Sequence, residues 1–246
     1  MARAPEAETR GEAMRAVILA GGKGTRLRPY TTVLPKPLVP IADRPILELV
    51  IRQLAKHGFQ RIDLSVGHLG GLIKAYLDSI ELPEGLELEY WWEDTPLGTA
   101  GALRMIEGLD EPFLAMNGDV LTTLDYAQLM RFHKGHEGAL TIATHRQRVD
   151  VDLGVIESED GFITAYTEKP TMSFDVSMGV YVYDPEALEV IPERRFDLPD
   201  VVQAMLDGGR KVAVYSGPGV WFDIGTIGEH ERATAEIEAH PELFDA

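Results

Sequence analysis

The sequence predicts an α/β fold with three layers: a mixed, mostly parallel sheet that carries helices on both faces. Two observations lead to this prediction. In the first half of the chain, short apolar segments alternate with longer segments of helical periodicity, as in parallel strands joined by crossover helices. In the second half, strand-like segments follow one another with little helix between them, which predicts a small β-rich elaboration of the sheet.

Glycines, prolines and polar turns delimit the elements of the first half. Arg15–Ala20 is short, apolar and followed by glycines, so it predicts a buried strand. Ile46–His57 has one apolar helical face and ends before Gly58, so it predicts an amphipathic helix. By the same criteria, strands are expected at Arg61–Val66, Leu86–Trp92, Pro112–Met116 and Ala139–Thr144, and helices at Gly71–Asp78, Thr99–Leu109 and Tyr126–His133.

The second half is expected to consist mainly of strands, with short helices towards its end. The expected strands are Gly154–Ser158, Phe162–Thr167, Ser177–Tyr183 and Lys211–Tyr215, and the expected helices are Pro185–Val190, Leu198–Asp207 and Ile227–Ala239. Residues 14–246 are therefore expected to form a single domain. Residues 1–13 are polar and acidic, which predicts a disordered leader or a tag remnant and not a secretory signal.

The composition limits the classes of partner. The 246 residues are 45% apolar and 26% charged, as in a globular protein, and no apolar run approaches the length of a membrane span. Without cysteine the chain has neither disulfides nor thiolate metal sites, which fits a cytoplasmic location. The net charge of −17 argues against nucleic acid and anionic membranes as partners. A phosphate-bearing ligand would therefore need basic groups gathered locally, together with a metal ion.

A glycine-rich segment follows the first predicted strand. Gly21, Gly22 and Gly24 let the backbone approach a ligand and direct N–H groups at phosphate oxygens. The dinucleotide-binding fingerprint is absent, because it needs a further glycine where Arg26 stands. The ATPase phosphate loop is also absent, because Lys23 is followed by glycine and not by serine or threonine. The segment predicts a phosphate site of another kind.

Lys36 lies between two prolines, ten residues beyond Arg26. Pro35 and Pro37 restrict the backbone, so placing the ammonium group costs less conformational entropy. Taken alone, the same string would be explained by an exposed lysine in a proline-rich turn. Close to the glycine loop, the lysine is better explained as a phosphate ligand.

The segment Ala20–Pro40, AGGKGTRLRPYTTVLPKPLVP, resembles the opening motif of the sugar-1-phosphate nucleotidyltransferases, and later motifs follow in that family's order over about residues 14–230. The resemblance implies a Rossmann-like catalytic domain whose substrates are a nucleoside triphosphate and a sugar 1-phosphate. It implies that Arg26 and Lys36 are catalytic residues that contact the triphosphate. The nucleotide-binding residues expected in this segment are Leu19, Gly21, Gly22, Gly24 and Thr25.

Two aspartates follow separate apolar segments. Asp119 ends the string Asn-Gly-Asp after a predicted strand, and Asp223 stands in the string WFDIGT. An α/β sheet presents its ligands at such strand ends, although a turn-forming aspartate or a helix cap would also fit. Mg²⁺ prefers one or two carboxylates together with phosphate and water, so the pair suits a Mg-nucleotide site. The resemblance implies Mg²⁺ as the cofactor, with both aspartates as its ligands and Asp119 as a catalytic residue.

A third set of residues resembles the family's sugar-phosphate motifs. Glu168 and Lys169 precede a proline, and such a pair can accept sugar hydroxyls and neutralise the sugar phosphate. Gly118 is expected to border the same substrate. In place of the family's frequent Asn-Ala-Gly the chain has Ser177 and Gly179 around a methionine, so the sugar contact at residue 177 departs from the pattern.

The segment EDTPLGTAG, which begins at Glu93, resembles the family's nucleobase-binding loop, in which Gly98 and Thr99 are also expected to contact the nucleotide. Guanine presents two adjacent donors that one ionised carboxylate can accept, whereas uracil and thymine present one donor between two acceptors. Glu93 therefore favours GTP, although UTP, CTP and dTTP remain open and the side chain could simply cap a helix. The string PLGTAG resembles the mannose-1-phosphate guanylyltransferase branch, which favours a mannose- or heptose-like sugar, although glucose 1-phosphate and N-acetylated sugar phosphates remain open as acceptors.

Two other classes of protein compete with the transferase. A catalytically silent regulatory subunit would bind a nucleotide sugar without turnover, but such a protein is free to lose charged site residues that are all present here: Arg26, Lys36, Asp119, Lys169 and Asp223. A dinucleotide-dependent oxidoreductase is disfavoured by the missing glycine fingerprint. Only about 20 residues follow Asp223, so the C-terminal β-helix domain of many family members is not expected. A homo-oligomer is compatible with the sequence.

Overall fold

The computed structural model describes residues 14–244, so the predicted leader at residues 1–13 lies outside the described residues. The strands are β1 (Met14–Ala20), β2 (Pro40–Ile41), β3 (Arg44–Pro45), β4 (Phe59–Val66), β5 (Glu87–Trp92), β6 (Phe113–Asn117), β7 (Val120–Thr122), β8 (Leu140–Asp150), β9 (Val155–Glu159), β10 (Phe162–Thr167), β11 (Thr171–Tyr183), β12 (Val212–Ser216) and β13 (Trp221–Asp223). The α-helices are α1 (Ile46–Lys56), α2 (Gly70–Leu77), α3 (Gly98–Gly101), α4 (Tyr126–Lys134), α5 (Leu198–Asp207) and α6 (Ile227–Ala239). None of these helices combines the length and apolarity that a membrane crossing needs.

Seven strands form the main sheet, in the order β12-β8-β11-β6-β1-β4-β5. The strand β1 lies parallel to β4 and β6, β4 lies parallel to β5, and β8 lies parallel to β12. Within this sheet only β11 runs antiparallel to its neighbours, β6 and β8. The predicted mixed, mostly parallel sheet is therefore confirmed, and β1 and β6 end at the same edge.

Two hydrophobic clusters cover the two faces of the sheet. Successive residues of β1 enter different clusters, Ile18 on one face and Val17 on the other, because side chains alternate along a strand. The first cluster includes residues of α1, α2, α4 and α6, and the second includes residues of α3 and α5. Helices therefore lie on both faces, which confirms the three-layer prediction.

The predicted helix at Thr99–Leu109 is wrong beyond its first turn. Helix α3 ends at Gly101, and a single 3₁₀ turn follows over Ala102–Met105. The N–H groups of Ala100 and Gly101 both donate to the carbonyl of Phe196, at 3.0 and 2.9 Å. A contact nearly a hundred residues away along the chain thus determines this turn, and local periodicity could not reveal it.

The strands β8 and β11 extend beyond their predicted limits. The expected segments stop at Thr144 and begin at Ser177, whereas the two strands continue to pair as far as Asp150 and Thr171. These outer halves and the hairpin of β9 and β10 form an exposed arm over residues 145–176. Main-chain hydrogen bonds extend a ladder whatever its side chains, so a pattern of apolar residues did not predict this arm. The short strands β2, β3, β7 and β13 were also missed.

A directed hydrogen-bond chain lies beneath helix α4. Gly138 N donates to His136 Nδ1 at 2.9 Å, so the neutral His136 carries its proton on Nε2 and donates to Thr141 Oγ1, also at 2.9 Å. The Thr141 hydroxyl then donates to Nδ1 of the buried His133 at 2.7 Å. His133 Nε2 lies 3.4 Å from Asp184 Oδ2. Burial lowers the pKa of His133 from 6.5, although the Asp184 carboxylate acts to raise it.

We expect the free energy of unfolding to fall as the pH drops below about 6.5. The folded protein holds His133 neutral, and its pKa is lower than in the unfolded chain, so the stability present above the unfolded pKa is lost on acidification. Urea unfolding at pH 7.5 and 5.5 measures this loss. His133→Gln should reduce it, whereas His68→Gln, at an exposed position, should leave it unchanged. An equal loss in the His133 variant would contradict this assignment.

Candidate active site

A cavity of about 300 Å³ opens at the carboxyl ends of β1 and β6. Seven of its eleven lining residues are site residues predicted from the sequence: Leu19, Gly21, Gly22, Glu93, Gly98, Thr99 and Asp119. The other four are Pro96, Asn117, Arg195 and Asp197. The cavity lies at the edge of the sheet where parallel strands present ligands.

The glycine loop is held by its own turn and by the segment around Lys36. Gly24 has a φ of +58°, in the left-handed region that side chains disfavour. Its carbonyl accepts hydrogen bonds from Thr31 Oγ1 at 2.7 Å and from Leu27 N at 3.0 Å. A Cβ on Gly24 would stand 2.9 Å from Lys36 Cβ, so the loop backbone lies directly against the lysine.

Lys36 forms an ion pair with Asp119, which lines the cavity. Only 8% of the Lys36 surface is exposed, and the flanking Pro35 and Pro37 are buried as well. The turn that carries Asp119 is fixed to β1, because Gly118 N donates to Leu19 O at 2.9 Å. Withdrawing both charges from water is costly, and their mutual attraction offsets that cost only while both partners are present.

Asp223 reaches the same place through the short antiparallel pair of β7 and β13. The register sets Asp223 opposite Val120, and Ile224 N donates to Asp119 O at 3.0 Å. Burial, and then the negative charge of Asp119, raise the pKa of Asp223 above its usual range, although Lys36 and Arg26 act to lower it. The two aspartates predicted as metal ligands are therefore close enough to repel each other.

Two neighbouring carboxylates fit a divalent cation with a preference for oxygen. In residues 14–244 no cluster of three or more His, Cys, Asp or Glu side chains is arranged for a metal, so an all-protein cage is absent there. Mg²⁺ needs fewer protein ligands because it keeps water and takes phosphate oxygens. Asp119 and Asp223 have this donor chemistry, and bound Mg²⁺ would relieve their repulsion.

Glu93 lines the cavity directly beside the glycine loop. Its Oε1 accepts from Ser65 Oγ at 2.7 Å, and its Oε2 accepts from Leu97 N at 2.9 Å, just before α3. Glu93 Oε1 also lies so close to Gly21 that a Cβ there would overlap it. The carboxylate thus fixes the loop before α3, and because each oxygen can accept a second hydrogen bond, it can still accept from a ligand.

A segment around Arg195 forms a wall of the cavity that the sequence reasoning missed. Thr99 N donates to Asp197 Oδ1 at 3.0 Å, and Leu198 N donates to Thr99 Oγ1 at 2.9 Å. Arg195 lies 3.3 Å from Asp197 Oδ2. The sequence signal was weak, because the Asp-Leu-Pro-Asp string reads only as the start of helix α5.

The residues expected to bind the sugar phosphate are not all brought together. Gly179 lies in a bulge of β11, where a Cβ would stand 2.8 Å from Asn117 Nδ2, and Ser177 Oγ donates to Tyr181 OH at 3.1 Å. Glu168 and Lys169 are exposed on the arm and do not line the cavity. The Glu168 carboxylate accepts from Tyr166 OH at 2.7 Å.

Arg26 and Thr25 lie at the exposed rim of the glycine loop. The Arg26 guanidinium lies over Gly225, where a Cβ would stand 3.3 Å from Nη2. The predicted phosphate-binding arginine is therefore next to the segment that carries Asp223.

A glycine loop beside a cavity, with a lysine–aspartate ion pair and a second aspartate close to it, defines a class of α/β protein suited to phosphorylated ligands. The family model for nucleotidyl transferase matches residues 15–240 of the chain. The chain therefore belongs to the nucleotidyl transferase family, and the resemblance seen in the sequence is confirmed.

Several known proteins are similar to this chain. UTP–glucose-1-phosphate uridylyltransferase of Synechocystis is 31% identical over 242 residues, covering 89% of this chain and 62% of the relative. Mannose-1-phosphate guanylyltransferase catalytic subunit beta of Dictyostelium discoideum is 32% identical over 219 residues, covering 86% and 61%. The crystal structure of HddC from Yersinia pseudotuberculosis matches with a TM-score of 0.70 and 25% identity, covering 91% of this chain and 99% of that chain. The chain thus spans about three fifths of the length of these two curated relatives.

We expect Asp223→Asn to raise the melting temperature of the metal-free protein. The folded state raises the pKa of Asp223, so its ionised form destabilises folding at pH 7.5, and a neutral amide removes that effect. Scanning calorimetry in EDTA measures the change. Added Mg²⁺ should then stabilise the original protein and not the variant.

Asp152→Asn is the matched control, because it removes one exposed carboxylate from the arm. It should leave the Mg²⁺ response intact. Equal stabilisation of the Asp223 variant by Mg²⁺ would remove Asp223 from the metal site.

Proposed function

We propose that this protein transfers a nucleotidyl group from a nucleoside triphosphate to a sugar 1-phosphate and releases pyrophosphate. The observation that carries the proposal is the ion pair of the buried Lys36 with the half-buried Asp119, which lies beside Asp223 and next to the glycine loop. Such an arrangement gathers cations and metal-binding carboxylates in a chain with a net charge of −17. Family membership and the similarity to guanylyl- and uridylyltransferases support it.

In the proposed reaction, an oxygen of the sugar phosphate attacks the α-phosphorus while the bond to the β-phosphate oxygen breaks on the opposite side. The attacking phosphate is largely dianionic at neutral pH, because its second pKa is about 6, so no general base is required. The protein must orient two anions and offset their charge. Mg²⁺ held by Asp119 and Asp223 would supply positive charge at the phosphates.

In the proposed reaction, residues of the chain itself bind the phosphates and stabilise their charge. The N–H groups of the loop containing Gly21, Gly22 and Gly24 bind phosphate oxygens. Arg26 and Lys36 stabilise the triphosphate and the leaving pyrophosphate. Arg195 adds a further cation at the cavity wall.

The residues proposed to bind the sugar phosphate require that the arm and the cavity both contact this substrate. Lys169 neutralises the incoming sugar phosphate and Glu168 accepts its hydroxyl groups, while Ser177, Gly179 and Gly118 border the sugar. Because Glu168 and Lys169 lie on the exposed arm, the proposal implies that a bound sugar phosphate bridges the arm and the cavity.

We propose GTP as the nucleotide and a mannose- or heptose-like sugar phosphate as the acceptor. The Glu93 carboxylate lines the cavity and can accept from two adjacent donors of guanine. Several guanylyltransferases are among the similar proteins. Transfer from UTP to a glucose phosphate is the alternative, since a uridylyltransferase is similarly related to the chain.

Removing the charge of either Lys36 or Asp119 should nearly abolish pyrophosphate release. We expect Lys36→Ala and Asp119→Asn each to lower kcat/KM by about 10²–10³-fold, because each removes a charge that offsets the phosphates. A coupled pyrophosphate assay with Mg²⁺, the four nucleoside triphosphates and a panel of sugar 1-phosphates measures this. Lys56→Ala, at the end of helix α1, is the control. Near-full activity of both site variants would refute the mechanism.

The identity of the base is tested separately. We expect Glu93→Gln to lower kcat/KM with GTP by about 10²-fold, because guanine donors would lose an ionised acceptor, and to spare UTP. Glu87→Gln removes an exposed carboxylate from β5, the strand that precedes Glu93, and should change neither. Thermal stabilisation by UTP or dTTP but not by GTP would overturn the preference for guanine.

A further inference from the structure

The first turn of helix α6 has an unusual cap. Thr226 Oγ1 accepts from Glu229 N at 3.3 Å, as in an ordinary capping box. In that motif the carboxylate three residues on accepts from the backbone N–H of the capping residue. Here Glu229 Oε2 reaches one residue further and accepts from Gly225 N at 3.2 Å, as well as from Thr226 Oγ1 at 3.1 Å. The carboxylate thereby holds both Gly225 and Thr226 at the start of the helix.

Gly225 separates this carboxylate from the Arg26 guanidinium. A Cβ on Gly225 would stand 3.3 Å from Arg26 Nη2, 3.4 Å from Arg26 Cζ and 3.4 Å from Glu229 Oε2. The positive charge of Arg26 and the negative charge of Glu229 thus both lie next to the Gly225 α-carbon, which has no side chain. In the described part of the chain, however, Arg26 and Glu229 form no ion pair with each other. A Cβ at residue 225 would therefore touch both groups at slightly less than the usual contact distance.

The same turn also carries Asp223. Gly225 N donates to Asp223 O at 2.7 Å, so Asp223, Gly225 and Glu229 are linked through one N–H group. Both Arg26 and Glu229 act electrostatically on Asp223, with opposite signs. The start of helix α6 therefore connects the glycine-loop arginine to Asp223, which lies beside Asp119.

We propose that Glu229 is a positioning residue for the transfer reaction. Its carboxylate fixes the turn from Asp223 to Thr226. It also attracts the Arg26 guanidinium to a position over Gly225, from which the arginine can bind the triphosphate. The inference rests on the proposed function, in which Arg26 binds that triphosphate.

The separation of Arg26 from Glu229 across Gly225 explains why this arrangement favours binding of the triphosphate. An arginine that is free in solvent loses side-chain entropy when it binds phosphate. An arginine locked in a direct ion pair must first break that pair. Attraction across a bare α-carbon restricts the guanidinium without consuming its hydrogen-bond donors, so the donors stay available for phosphate oxygens.

The test compares Glu229→Gln with Glu231→Gln, a control that removes an exposed carboxylate from the same helix. Glutamine keeps an acceptor for Gly225 N and Thr226 Oγ1 but removes the charge. We expect Glu229→Gln to raise KM for the nucleoside triphosphate roughly tenfold with little change in kcat or in the KM for the sugar 1-phosphate. Glu231→Gln should behave like the original protein.

A double-mutant cycle with Arg26→Ala identifies the route of the effect. If Glu229 acts through Arg26, Glu229→Gln should raise KM no further once the arginine is absent. An unchanged KM in Glu229→Gln, or a full additional loss in the Arg26→Ala background, would overturn the inference.

Failure of the proposed function gives a different result. If Arg26→Ala alone leaves KM for the nucleotide unchanged, Arg26 does not bind the triphosphate, and the inference falls with that assignment. If Arg26→Ala raises KM and Glu229→Gln does not, only the positioning role of Glu229 is wrong.

Discussion

The ion pair between Lys36 and Asp119 joins the two halves of the site, and the rest of the site is arranged around it. The lysine comes from the proline-flanked turn after the glycine loop, and the aspartate comes from the turn after β6. Each charge would be costly to bury alone. Gly24 packs against the lysine, and Gly118 N anchors the turn that carries the aspartate to β1. The backbone therefore holds both side chains of the ion pair in place. A ligand that enters the cavity therefore meets a prearranged pair of charges.

The charged side chains around this pair explain how a protein with a negative net charge can bind an anionic ligand. Asp223 lies close enough to Asp119 for burial and repulsion to raise its pKa, which is unfavourable for the empty protein. Functional sites commonly retain such unfavourable interactions because a ligand relieves them. Arg26 and Lys36 offset part of the negative charge, and a divalent cation suits the remainder. The net charge of −17 thus says little about the field inside the cavity.

Much of the candidate site is completed by residues distant in sequence. The pairing of β7 with β13 brings Asp223 beside Asp119, and Thr99 and Asp197 join opposite walls of the cavity. Helix α6 then connects Asp223 to the glycine-loop arginine through its first turn. The arm stands apart from these contacts, since Glu168 and Lys169 do not line the cavity.

The sequence by itself determined the α/β class, the central strands and the local motifs, because each depends on neighbours in the chain: apolar periodicity, glycine turns and proline-restricted backbone. Together with the family resemblance, these motifs led to Gly21–Arg26, Lys36, Asp119 and Asp223 as candidate site residues. Only the tertiary structure decided the pairing of Lys36 with Asp119, the length of the arm, the early end of α3, the wall around Arg195 and the reach of Glu229 to Gly225. These features rest on contacts between distant segments or on main-chain pairing that ignores side-chain polarity, and neither leaves a periodic pattern in the sequence.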